Sequence, residues 1–183
     1  MSGSGLRSLE LQTLWSEMSN TKKKVCMLGA FSVGKTSLVS RYVHSMFSER
    51  YQTTVGVRIE KKHMALNGSD LDLLIWDLHG EDDVHTVRDS YLRGASGYLL
   101  VLDGTRRETL AVARALKQRV DSVLGEKPFV ALLNKADVRA DWTVSEEDIE
   151  SLRTDGWHVF ETSAKSGDGV EKGFEILAAQ LLD

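Results

Sequence analysis

Val25-Cys26-Met27-Leu28-Gly29-Ala30-Phe31-Ser32-Val33-Gly34-Lys35-Thr36-Ser37 decides how this chain folds. The apolar residues Val25–Leu28 read as a buried strand. Behind the loop Leu38, Val39, Tyr42, Val43 and Met46 recur at helical spacing, which predicts a helix over 35–46. A strand, a glycine-bearing loop and a helix are the context that a phosphate-binding loop requires. The glycines let the backbone curl until successive N–H groups of Ser32, Val33, Gly34, Lys35, Thr36 and Ser37 meet one anion, reinforced by the helix N-terminus. Lys35 then reaches the outer phosphates, and the Thr36 hydroxyl suits Mg²⁺. Phe31 is the odd member, a bulky ring where the loop comes close to phosphate.

Working outward, the 183 residues predict one domain with a substantial core. Hydrophobic content of 42% and charged content of 27% are ordinary for a globular protein. A net charge of −4 argues against nucleic acid as a partner. No apolar run is long enough to span a membrane, and the N-terminus lacks a signal-peptide core. A single cysteine, Cys26, in a core strand excludes an internal disulfide and points to a reducing, cytoplasmic setting.

Residues 1–22 read as a flexible extension in which Leu11, Leu14, Trp15 and Met18 predict a short amphipathic helix. Its polar face carries Glu10 and Glu17, where a membrane-surface helix favours Lys or Arg. Membrane contact, packing on the domain or a partner, and disorder all stay open. Over 23–183, strands and helices alternate. Val57–Leu66 and 71–76 flank Asn67-Gly68, the dipeptide of a tight antiparallel turn. The runs 97–102 and 129–133 are continuously apolar, as in a parallel sheet buried on both faces. The helical stripes Val112-Leu116-Val120-Val123-Leu124 and Val170-Phe174-Leu177-Ala178-Leu181 complete an α/β pattern. The expected fold is a mostly parallel six-stranded sheet with one antiparallel hairpin strand and helices on both faces. Its ligand belongs outside the carboxyl ends of the strands.

Alone, the phosphate loop fits ATPases, GTPases and small-molecule kinases. Asn134-Lys135-Ala136-Asp137 follows the apolar strand, so it sits at a carboxyl end. A carboxylate there can accept from both the ring N–H and the exocyclic amine of guanine, a donor pair that adenine lacks. The plain alternative is an Asn/Asp turn. Ser163-Ala164-Lys165 follows the next strand, and small residues there let backbone N–H groups approach a base carbonyl.

Gly29–Thr36, Thr54, 77–80, 134–137 and 163–165 together resemble the nucleotide motifs of the Ras superfamily of small GTPases. The Rab-like branch is nearest, through Thr53-Thr54-Val55-Gly56-Val57 and Ile75-Trp76-Asp77. The resemblance covers residues 23–182. It implies a GTP/GDP- and Mg²⁺-binding switch, with Thr54 as the switch-one threonine that closes on Mg²⁺ and the γ-phosphate. Asp77 becomes the carboxylate behind the Mg²⁺ sphere, and Gly80 the glycine whose N–H senses the γ-phosphate. Phe47 packs beside guanine, or is one more core aromatic, and Tyr51 lies near the phosphates. Effectors are then expected at Tyr51–Val57 and Gly80–Leu92, together with an exchange factor and an activating protein, on a monomer.

The chain departs from the family pattern in three places. Glu81 stands where a glutamine orients the attacking water, and a carboxylate there faces an anionic phosphate and donates no hydrogen bond. Phe31 replaces a small residue and crowds the space of that water and of an activator's arginine. Both changes predict slow hydrolysis, or a GTP-binding scaffold that scarcely turns over. His79 could position water instead, or simply pack. Finally, Ala179–Asp183 holds no cysteine for prenylation, and Met1-Ser2 does not fit myristoylation. Either the sequence is truncated or the protein works without a lipid anchor, as in bacterial or other atypical members, touching membranes only indirectly.

Overall fold

A computed structural model describes residues 21–48, 55–78 and 87–183. Its strands are β1 (Thr21–Leu28), β2 (Val57–Leu66), β3 (Ser69–Leu78), β4 (Gly97–Asp103), β5 (Phe129–Asn134) and β6 (Val159–Glu161). The helices are α1 (Lys35–His44), α2 (Asp89–Leu92), α3 (Thr109–Leu124), α4 (Glu146–Thr154) and α5 (Val170–Gln180). The strands form one six-stranded sheet in the order β2-β3-β1-β4-β5-β6. Every pairing is parallel except β2–β3, the hairpin closed by Asn67 and Gly68, both at positive φ (53° and 78°). The expected architecture is therefore what the chain adopts. β1 lies between β3 and β4, so the chain leaves it to one side and later returns on the other. That reversal opens a crevice at the carboxyl end of β1, where the glycine-bearing loop emerges.

Alternation along β1 divides the core. Val25 and Met27 face the layer of Leu38, Val39 and Tyr42 from α1 and Val170, Phe174 and Leu177 from α5. Cys26 and Leu28 face Ala113, Leu116 and Val120 of α3 and Ile149 and Leu152 of α4. The Tyr42 and Phe174 rings stack at 3.9 Å between centroids, pinning α1 to α5. β4 is buried along its full length, as its unbroken apolar run requires. Burial pushes the Cys26 thiol up to about 12 despite the nearby Lys24 charge, and the thiol donates to the Tyr91 carbonyl at 3.5 Å.

Several boundaries differ from the sequence reading. β1 begins at Thr21 rather than Val25: Lys22, Lys23 and Lys24 pair in register with Asp72, Leu73 and Leu74 of β3. Long lysine stems lie along the sheet while their charges reach outward, so hydropathy underrates the segment. The Lys24 ammonium stands 3.7 Å above the Trp76 ring. α1 stops at His44, two residues early. Ser45 turns left-handed (φ 55°), with its N–H on Arg41 and the Met46 N–H on Ser40, which closes the helix and leaves Met46 exposed. α4 was not anticipated. It starts from a capping box in which Ser145 accepts from the Asp148 N–H and the Asp148 carboxylate accepts from the Ser145 N–H.

No helix among the described residues is long and apolar enough to cross a membrane. The amphipathic segment at 11–18 lies outside the described residues, as do Tyr51, Thr54, His79, Gly80 and Glu81.

Candidate functional site

α1 opens on Gly34 (φ 102°) with no side chain capping its first turn. A helix start without a side-chain cap favours an anion. Gly34 also answers a packing demand, because a Cβ there would stand 2.3 Å from the Asn134 amide nitrogen. Lys35 is buried, and its ammonium donates to the Gly29 and Ala30 carbonyls at 2.9 and 2.8 Å, folding the loop around its own side chain. Ser32 takes a positive φ of 61°. Phe31 keeps its ring partly outside, 38% exposed, at the rim of the loop.

Beside this cradle the Thr36 hydroxyl donates to Asp77 Oδ2 at 2.6 Å. Asp77 is fully buried at the end of β3, and its Oδ1 has no protein partner among the described residues. Burial raises the Asp77 carboxyl above its ordinary value, which the Thr36 hydrogen bond and the charges of Lys35 and Arg58 only partly offset. A buried anionic oxygen without a partner is expensive unless a cation or its water shell reaches it. Mg²⁺ fits this corner, because it takes one or two protein oxygens and completes its octahedron with water and phosphate.

The third corner is organised by Asn134. Its Nδ2 donates to the Val33 carbonyl at 2.9 Å, and its Oδ1 accepts from the Ala164 N–H at 3.2 Å. One buried amide thus ties the phosphate loop to the loop after β6. Ser163 donates to Asp137 Oδ1 at 2.6 Å, which orients the exposed Asp137 carboxylate at the mouth. Arg41, from α1, donates through Nε to the Ala164 carbonyl at 2.8 Å and through Nη2 to the Lys165 carbonyl at 2.5 Å. Phe47 packs against the core at the end of α1, with the Arg41 guanidinium 6.0 Å from its ring.

Asp103, at the carboxyl end of β4, was missed in the sequence. Fully buried, it accepts from the Lys135 ammonium at 2.6 Å, Arg106 Nε at 3.0 Å, and the Thr105 N–H and hydroxyl at 3.0 and 2.7 Å. Burial raises its carboxyl, but the bonds from Lys135, Thr105 and Arg106 outweigh that and hold it below the usual value. Arg106 also donates to the Phe31 carbonyl at 2.6 Å. The available signal was positional: a lone carboxylate closing an apolar strand, at the sheet edge where ligands bind. The Trp142 indole N–H adds a bond to the Lys135 carbonyl at 2.9 Å. Phosphate loop, Asp77, 134–137 and 163–165 therefore converge at one end of the sheet. Thr54, Gly80, Glu81 and Tyr51 cannot be placed among them, since they fall outside the described residues.

Comparison with known proteins agrees with this geometry. A family model described as the Ras family matches residues 24–183. The chain is 33% identical to Ras-related protein Rab-21 of Geodia cydonium, over 90% of this chain and 73% of that protein. It is 33% identical to Ras-related protein RABA2d of Arabidopsis thaliana, over 86% of this chain and 74% of that one. With Ras-related protein Rab-7b of Mus musculus the identity is 36%, over 89% and 86% respectively. The chain belongs to the Ras family of small GTPases, in its Rab-like branch.

Proposed function

We propose that this chain is a guanine-nucleotide switch with slow GTP turnover, whose output is partner binding in the GTP-bound state. The observation that carries the slow turnover is the Phe31 ring, which stands at the rim of the phosphate loop. In this reading the N–H groups of Ser32, Val33, Gly34, Lys35, Thr36 and Ser37 cradle the phosphates, and Lys35 adds its charge to the outer ones. Asn134 and Asp137 take the base, with Ser163, Ala164 and Lys165 beside its carbonyl and Phe47 at its edge. Thr36 and Thr54 hold Mg²⁺, with Asp77 behind. An ion held by these residues would supply positive charge to offset that of the phosphates.

Thr54 and Gly80 then close on the γ-phosphate in one state and release in the other, ordering the surfaces 51–57 and 80–92 for effectors. An exchange factor and an activating protein would set the timing. We assign this activity to residues 23–183, acting as a cytoplasmic monomer, with 1–22 as an extension. Slow turnover follows from two side chains. Glu81 offers no neutral donor for the attacking water, and Phe31 fills the room that this water and an activator's arginine need.

Single-turnover hydrolysis of GTP tests this, comparing the natural chain with Phe31→Gly, Glu81→Gln and the double variant. The expected result is a rise of roughly tenfold or more in the double variant, about 1.4 kcal/mol off the barrier. A natural chain as fast as the double variant would sink the idea. Glu81 also favours a second reading, a GTP-binding scaffold with negligible hydrolysis. A GTP population that persists through purification would favour the scaffold, and bound GDP the switch.

A further inference from the structure

We propose that Arg106 is a positioning residue for the phosphate loop: by holding the Phe31 carbonyl outward it turns the Ser32 N–H into the anion cradle and slows nucleotide release. The inference rests on the guanine-nucleotide reading above and deepens it. Carbonyl and N–H of a trans peptide point to opposite sides, so anchoring one aims the other. No cis peptide occurs among the described residues, and Arg106 Nη2 donates to the Phe31 carbonyl at 2.6 Å.

The anchor is itself fixed. Arg106 Nε is held at 3.0 Å by Oδ2 of the buried Asp103, whose Oδ1 is occupied by the Thr105 N–H and hydroxyl. The anchored peptide also needs support. Ser32 sits at φ 61°, a conformation that a residue with a Cβ leaves when nothing holds it. Arg106 supplies that hold from the β4–α3 loop, outside every motif that touches the nucleotide.

The rival account runs through Asp103 Oδ2, which also accepts from the Lys135 ammonium at 2.6 Å, so that losing Arg106 would loosen the base site instead. Phosphates distinguish the two. An effect on the Ser32 N–H weakens GDP more than GMP, which lacks the outer phosphate, whereas an effect through Lys135 weakens both equally.

The experiment loads the full chain with a fluorescent GDP analogue and Mg²⁺ and follows its release into excess GDP. Affinities for GDP and GMP are measured by competition. Arg106→Ala should speed release roughly tenfold, the scale of a charge-assisted hydrogen bond. It should also narrow the affinity ratio of GDP to GMP by a similar factor. Arg106→Lys, which keeps one donor but loses the planar fork, should fall between. Unchanged release in Arg106→Ala overturns the proposal, even if its melting temperature drops, and so does an equal loss for GDP and GMP. A natural chain that takes up no guanine nucleotide overturns the underlying functional reading instead, and is recognised before any variant is made.

Discussion

Asn134→Ala is the sharpest probe of how this site is held together. The amide is buried, and it satisfies the Val33 carbonyl at 2.9 Å and the Ala164 N–H at 3.2 Å. A third contact, from the Thr162 hydroxyl at 3.5 Å, is at the limit of a hydrogen bond and adds little. Truncation strands one acceptor and one donor, each at about 1–3 kcal/mol. Water entering from the mouth favours the lower figure, so the total is about 2–3 kcal/mol. For a chain of this size that lowers the melting temperature by roughly 5–10 °C.

Where nucleotide itself orders the two loops, the same energy appears as lost affinity, roughly 30- to 150-fold at tenfold per 1.4 kcal/mol. Scanning calorimetry of the nucleotide-free protein and titration with GDP together recover the sum. Asn134→Asp provides the control, because it keeps an acceptor for Ala164 but sets an oxygen against the Val33 carbonyl. It should be no better than alanine. An Asn134→Ala protein that melts within about 1 °C of the natural chain and binds GDP within about twofold would refute the reasoning.

Three further outcomes are expected. Asp77→Asn should leave the metal-free melting temperature unchanged or higher, since it removes a buried charge whose Oδ1 has no partner among the described residues, while Mg²⁺ should no longer slow GDP release; a large metal-free loss counts against this. Asp148 is held well below the usual carboxylate range by Arg107 first and then by the Ser145 backbone bond. Its lowered pKa gives stability that is full above the unfolded value near 3.9 and is lost as pH falls through the folded one, so Asp148→Asn should lower the melting temperature above about pH 4 and flatten its fall with pH below that. Gly104→Ala would put a Cβ 2.1 Å from the Trp142 ring, forcing the indole off the Lys135 carbonyl. That overpacking costs about 1–3 kcal/mol and should shift the tryptophan fluorescence.

Much of the fold was legible because single physical demands wrote it. Double-sided burial makes β4 and β5 unbroken apolar runs, and a two-residue turn needs Asn67-Gly68. The phosphate loop and the 134–137 segment were legible because their chemistry is local in sequence. What escaped depends on partners far away in the chain. Asp103 carries no motif; its importance comes from Lys135 across the β4–β5 ladder and from Arg106 reaching 75 residues back to Phe31. β1 escaped at its start because lysines hid a strand. α4 carried a readable signal in Ser145 and Asp148, whose apolar face of Ile149 and Leu152 is too short to stand out by period alone.

Cys26 has a practical consequence. Maleimides and iodoacetamides react with thiolate, and a buried thiol raised to about 12 offers almost none at neutral pH. It is also the only cysteine in the 183 residues. A cysteine introduced on the surface is therefore the sole reactive handle, with no native residue to remove first. Val55, 90% exposed and adjacent to Thr54, is one such position. A dye attached there would be the only label in a chain otherwise blank to thiol chemistry.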